Sequence, residues 1–325
     1  MALGWLMRVL AACSFAASCA AADAPLGSEP VDTRSLLAAG KFAQLEDLYA
    51  RQSALRQRDA DGELQSVHFF HRMGLGWDAE KWADEDAYTR LWLQHSPRSV
   101  PAAIARADAL SRHASELDRA GQWSKAEAAF GEMRRLLSSV RERASGELMW
   151  HTLMVVLARQ EGWPLDRVRA TIEAGMKVDA TSMFFYGPAS RALMPDPRQS
   201  PDQLAWLARR SAAMTKSTLG MAMYAKVYIW FADRSQLVRT EPFRRGLIDW
   251  PAMKQGLTDL HRHEPGDGVL NNRAAMACLA RDMGDTRKTL KDLGPRIDSR
   301  IWKSWGGDPL VERCKGWAQF GTVTS

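Results

Sequence analysis

The stretch Ile104–Val140, IARADALSRHASELDRAGQWSKAEAAFGEMRRLLSSV, decides the fold. Its second half sets Trp123, Ala126, Phe130, Met133, Leu137 and Val140 at steps of three and four, one stripe of a helix. Lys125, Glu132 and Arg141 fall largely outside that stripe. The first half, Ile104 to Leu117, repeats the pattern with smaller residues. Gly121 stands between the two, and glycine readily takes the left-handed backbone that closes a helix. The segment therefore reads as one antiparallel helix hairpin.

The same phrase occurs around Gly40. Counted from that glycine, Phe42, Leu45, Leu48 and Tyr49 match Trp123, Ala126, Ala129 and Phe130, and Glu46 matches Glu127. A weaker echo surrounds Gly284, with Leu279 before the turn and Leu290 and Leu293 after it. A helix-turn-helix unit that recurs cannot bury its apolar face alone, so copies stack. The expectation is an all-α fold of stacked antiparallel hairpins, a tetratricopeptide-like α-solenoid.

Capping chemistry marks further helix starts. Ser200-Pro201-Asp202-Gln203 is a capping box with proline in the first turn, and Asp308-Pro309, Trp163-Pro164 and Trp250-Pro251 mark three more. No stretch alternates apolar and polar residues as a half-buried strand does. The run Leu148–Leu157 is apolar on nearly every face, which predicts a central helix, and it is too short to span a bilayer. His151 within it is expected to donate to a backbone carbonyl. Residues 35–325 form the expected repeat domain, with a joint near 195–200 (PDPRQS) and a second break around 264–268.

Residues 1–22 read as a secretory signal peptide: Arg8, the small apolar run Val9–Ala22, then Ala20-Ala21-Ala22 before Asp23. Residues 23–34, with Pro25, Gly27, Ser28 and Pro30, read as a flexible mature N-terminus. Cys13 and Cys19 each follow small residues in the manner of a lipoprotein site. Arg8 lies too close to Cys13 for an apolar core to fit between them, so cleavage near Ala22 without a lipid anchor is expected. The expected location is periplasmic or secreted. Cys278 and Cys314 then remain, and in an oxidising compartment they either form a disulfide or stay buried as thiols.

The 325 residues carry a formal charge of +6, with 46% hydrophobic and 25% charged residues, an ordinary globular composition. Losing residues 1–22, whose one charged group is Arg8, leaves +5. The basic residues occur as scattered pairs, Arg134-Arg135, Arg209-Arg210 and Arg244-Arg245, without the dense cluster that tracks phosphates, so nucleic acid is not an expected partner.

The segments Leu36–Tyr49, Ser96–Leu110, Ala189–Pro197, Gln203–Tyr228, Ile248–Leu260 and Asn271–Leu290 resemble, in order, successive blocks of the bacterial domain-of-unknown-function family 4034. The resemblance runs from about Leu36 to Trp302. It implies tetratricopeptide-type helical repeats and carries over no catalytic residue. One departure concerns a Trp-Gly-Gly tract that the family places after a Leu-Pro pair. Here Met194-Pro195 leads into Asp196-Pro197, and Trp305-Gly306-Gly307 stands near the C-terminus.

Searching for chemistry yields little. His68 and His71 lie three apart on one helical face, and His261 and His263 lie at a helix end, but no acid or thiol joins either pair by sequence, so no metal is expected. No G-x-S-x-G, Walker loop, H-E-x-x-H or dinucleotide fingerprint occurs, and no catalytic residue or cofactor is expected. Trp123, Trp150, Trp206 and Trp230 lie in apolar helical patterns and are expected in the core. Trp77 and Trp82, among Gly74, Gly76, Asp78 and Lys81, are the best exposed candidates for a binding site, together with Trp305. Asn271 or Asn272 is expected to cap the helix that carries Cys278. The functional expectation is a scaffold that binds a protein or peptide partner in the cell envelope. A glycan-binding or glycan-processing protein and an immunity or inhibitor protein against an envelope toxin are the alternatives.

Overall fold

In the computed structural model, residues 31–60, 62–74, 82–194, 201–231, 238, 241–243 and 246–320 are described. Among them are sixteen helices and no strand: α1 (Thr33–Ala38), α2 (Phe42–Leu55), α3 (Gln65–Gly74), α4 (Trp82–His95), α5 (Val100–Arg119), α6 (Trp123–Ser139), α7 (Leu148–Gln160) and α8 (Leu165–Val178). They continue with α9 (Met183–Leu193), α10 (Pro201–Leu219), α11 (Ala222–Phe231), α12 (Trp250–His263), α13 (Asp267–Leu279), α14 (Met283–Leu293), α15 (Ser299–Lys303) and α16 (Gly307–Phe320). The fold is all-α. Among the described residues, no helix is long and apolar enough to cross a membrane.

Four of the inter-helix turns share one geometry. After α1, α5, α7 and α13, the residues Gly40, Gly121, Gly162 and Arg281 take φ of 65°, 72°, 61° and 60°. In each, that residue's N–H returns three positions, and the next N–H returns five: Lys41 to Leu36, Gln122 to Leu117, Trp163 to Ala158 and Asp282 to Ala277, all at 2.8–3.0 Å. This is the Schellman turn, which satisfies the last carbonyls of the helix it closes. The fourth copy corrects the sequence register, because Gly284 lies inside α14 and the turn residue is Arg281, three positions earlier. Counted from Arg281, Thr286 and Thr289 occupy the places of Leu45 and Leu48. Their buried hydroxyls donate to Asp282 O and Asp285 O one turn back.

The hairpins pack mainly on their chain neighbours, α5 on α6, α10 on α11, α11 on α12 and α13 on α14. α7 sits between two cores, as its all-round apolar sequence predicts. Trp150, Leu153 and Leu157 face a core built with α1–α6, whereas Leu148, Val155 and Ala158 face one that continues through α16. The expected joint at 195–200 lies outside the described residues, but the core does not divide there. Leu193 and Met194 before it share one cluster with Leu204 and Ala205 after it, and α9 packs on α10.

The signal-peptide residues 1–22 lie outside the described residues. The flexible stretch expected over 23–34 ends earlier than that, since Thr33 opens α1, is buried, and donates its hydroxyl to Phe69 O at 3.3 Å. Cys278 on α13 and Cys314 on α16 form a disulfide. Asn271 and Asn272 are not caps. They lie buried within α13, where Asn271 Oδ1 accepts from Trp302 Nε1 at 3.0 Å and Asn272 Oδ1 from Trp305 Nε1 at 2.8 Å.

Candidate binding cleft

The tryptophans divide differently from their sequence patterns. Trp150 is buried and Trp206 half-buried, as expected. Trp123, the first residue of α6, is 73% exposed, and Trp230 on α11 is 61% exposed. The apolar helix α11 turns Tyr224, Val227 and Tyr228 fully into the core, which leaves Trp230 outside it. Trp305 is corrected in the opposite sense. It is 3% exposed and held by Asn272, so its ring is a core element and no platform for a ligand. Trp77 lies outside the described residues. Trp82 is half-buried, and one face of its ring lies flat on His113, with centroids 3.8 Å apart and planes at 6°.

Trp230 borders a cleft of about 910 Å³ between α3, α9, α11 and the end of α12. Its wall begins with the loop after α2. Arg56, in left-handed conformation, donates to Val178 O at 2.7 Å, and Arg58 reaches Asp179 at 3.0 Å. These bonds lay the loop across the α8–α9 turn. Asp59 then accepts from Glu63 N at 3.0 Å and meets His68 Nε2 at 2.7 Å.

Glu63 is the consequence of that docking. Its Oε1 accepts from Met183 N at 2.6 Å, taking over the first turn of α9, where the Ser182 side chain makes no capping bond. Glu63 is 7% exposed, and its Oε2 is buried with no hydrogen-bond partner among the described residues. A buried acceptor left open in this way costs free energy until something donates to it. The cleft thus combines an aromatic surface, Trp230, Phe231 and Phe184, with the buried Glu63 in its wall. The ion pair Lys226–Glu264 and the ring of His263 lie at the same cleft.

The histidine pairs form no metal centre with these groups. His71 packs its ring edgewise on Phe184 with centroids 4.7 Å apart, and its pKa is lowered by burial and by His68 beside it. Among the described residues, no group of three or more His, Cys, Asp or Glu is arranged to hold a metal ion. His151 behaves as its sequence predicts, with Nε2 at 2.9 Å from Ser145 O.

Neither Glu63 nor Trp230 was legible as a site residue. Glu63 meets α9 across 120 positions of chain, and Trp230 carries the same apolar pattern as its buried neighbours. Comparison with family models, curated proteins and solved structures found no match to this chain.

Proposed function

We propose that the chain is an exported, tetratricopeptide-like scaffold that holds a peptide segment of another protein in the cleft beside Trp230. The observation that carries this reading is the large, exposed Trp230 ring at a cleft of about 910 Å³. An aromatic anchor supplies contact area at low entropic cost. The apolar run Val9–Ala22 and the Cys278–Cys314 bridge both support export, since disulfides persist in oxidising compartments.

The test is selection of peptides from a displayed random library on the purified mature chain, followed by titration of the winners against Trp230→Ala. Enriched peptides that bind the wild type and lose roughly tenfold or more on Trp230→Ala, at unchanged helical circular dichroism, support the proposal. No enrichment, or equal binding to both proteins, overturns it.

A further inference from the structure

A second groove, about 550 Å³, runs between α6, α7 and α8 and has a different chemistry. Its inner surface is apolar, with Trp150, Met154, Leu157 and Ala174. Three guanidiniums, Arg134, Arg141 and Arg167, share it with a single carboxylate, Glu161. That carboxylate is already engaged, by Arg134 Nε at 2.6 Å and Trp163 Nε1 at 2.9 Å. Burial alone would raise its pKa, but those bonds hold it below the usual range. The guanidinium carbon of Arg167 lies over the Trp163 ring, 3.4 Å from its centroid, which positions this cation beside the groove.

We infer that this groove is a binding site for a small amphiphilic carboxylate, its apolar chain against Trp150, Met154 and Leu157 and its anionic head toward Arg141 and Arg167. A pocket of this size suits a single medium-length chain better than a folded partner. The surplus of positive charge selects an anion, and the apolar floor selects a tail over a free inorganic ion.

The experiment is calorimetric titration of the mature chain with decanoate, with decanol and decyltrimethylammonium as the uncharged and cationic forms of the same tail. Decanoate is expected to bind saturably and at least roughly tenfold more tightly than either. Arg141→Glu should weaken it roughly tenfold, and Ala170→Trp, which fills the groove from its exposed edge, should abolish it. Lys125→Glu, the same charge change on α6 away from the groove, and Trp230→Ala should leave it unchanged. Absence of saturable decanoate binding overturns the inference, as does equal affinity for the cationic tail or equal weakening by Arg141→Glu and Lys125→Glu. Circular dichroism of each variant separates loss of the site from loss of the fold.

Discussion

The core ahead of α7 buries a cation, Arg106, as well as the carboxylate Glu85, whereas the buried charges described in the core behind α7 are carboxylates, Asp259 and Asp285, whose arginine partners stay partly in water. Arg106 is 1% exposed and donates to Glu132 at 2.8 Å, Asp86 Oδ1 at 2.9 Å, Thr89 Oγ1 at 3.0 Å and Asp86 O at 3.2 Å. Both its carboxylate partners stay partly in water. Behind α7, buried Asp285 takes two bonds from the half-buried Arg273, at 2.7 and 2.9 Å, with the exposed Lys254 nearby. That second core adds neutral Asn–Trp bonds and a disulfide. An arginine cannot shed its proton on burial, so at Arg106 the first core depends on a permanently charged group. The second core adds bonds that are neutral or covalent to its ion pairs, Arg273–Asp285 among them.

Breaking the covalent element should have the largest effect. Cys278 and Cys314 are 36 positions apart, and freeing that loop by Cys278→Ala with Cys314→Ala should cost about 4 kcal/mol in urea unfolding. Amide exchange should accelerate in α13–α16 and stay unchanged in α1–α6. Removing the buried cation by Arg106→Met should cost about 3 kcal/mol, because Asp86 and Glu132 lose their partner and only part of that loss is recovered from water. Here the accelerated exchange should fall in α4–α6.

A smaller change sharpens the comparison at the turns. Arg281 holds by strain the conformation that Gly40 and Gly121 hold freely, so Arg281→Gly should stabilise the protein by roughly 1 kcal/mol, and Gly121→Ala should destabilise it by a similar amount. The pH response comes last. Burial by itself would raise the Asp282 carboxyl, yet bonds from Asp285 N, Lys254 and Trp250 bring it to about 2. A carboxyl depressed in the folded state contributes stability above its unfolded value, near 3.8, and loses it as pH falls toward 2. Asp86 is depressed in the same direction, where bonds from Arg90 and Arg106 outweigh its burial. Both cores should therefore soften in acid. Unfolding midpoints measured from pH 5 to pH 2 should flatten in Asp282→Asn only for probes placed behind α7.

Legibility followed distance along the chain. The stripe from Ala126 to Val140, the turns at Gly40 and Gly121 and the double-faced α7 are local patterns, and the sequence shows them. The turn at Arg281 carries no glycine, and Thr286 and Thr289 bury polar groups by bonding their own helix, so apolar periodicity shows this copy only as a weak echo and places its turn three residues late. Pro164, directly after the Gly162 turn, marks only a helix start. Trp123 and Trp230 show that periodicity identifies apolar residues without saying which of them meet solvent. The clamp of Asn271 and Asn272 on Trp302 and Trp305, and that of Glu63 on α9, join distant segments and leave no local trace.

The most direct test of the binding scaffold is hydrogen exchange on the mature chain with and without a library-selected peptide. Protection is expected in the loop 62–64, the first turn of α9, and α11 about Trp230, with α14–α16 unchanged. Protection confined to other helices, or none at saturating peptide, would contradict the assignment of the cleft.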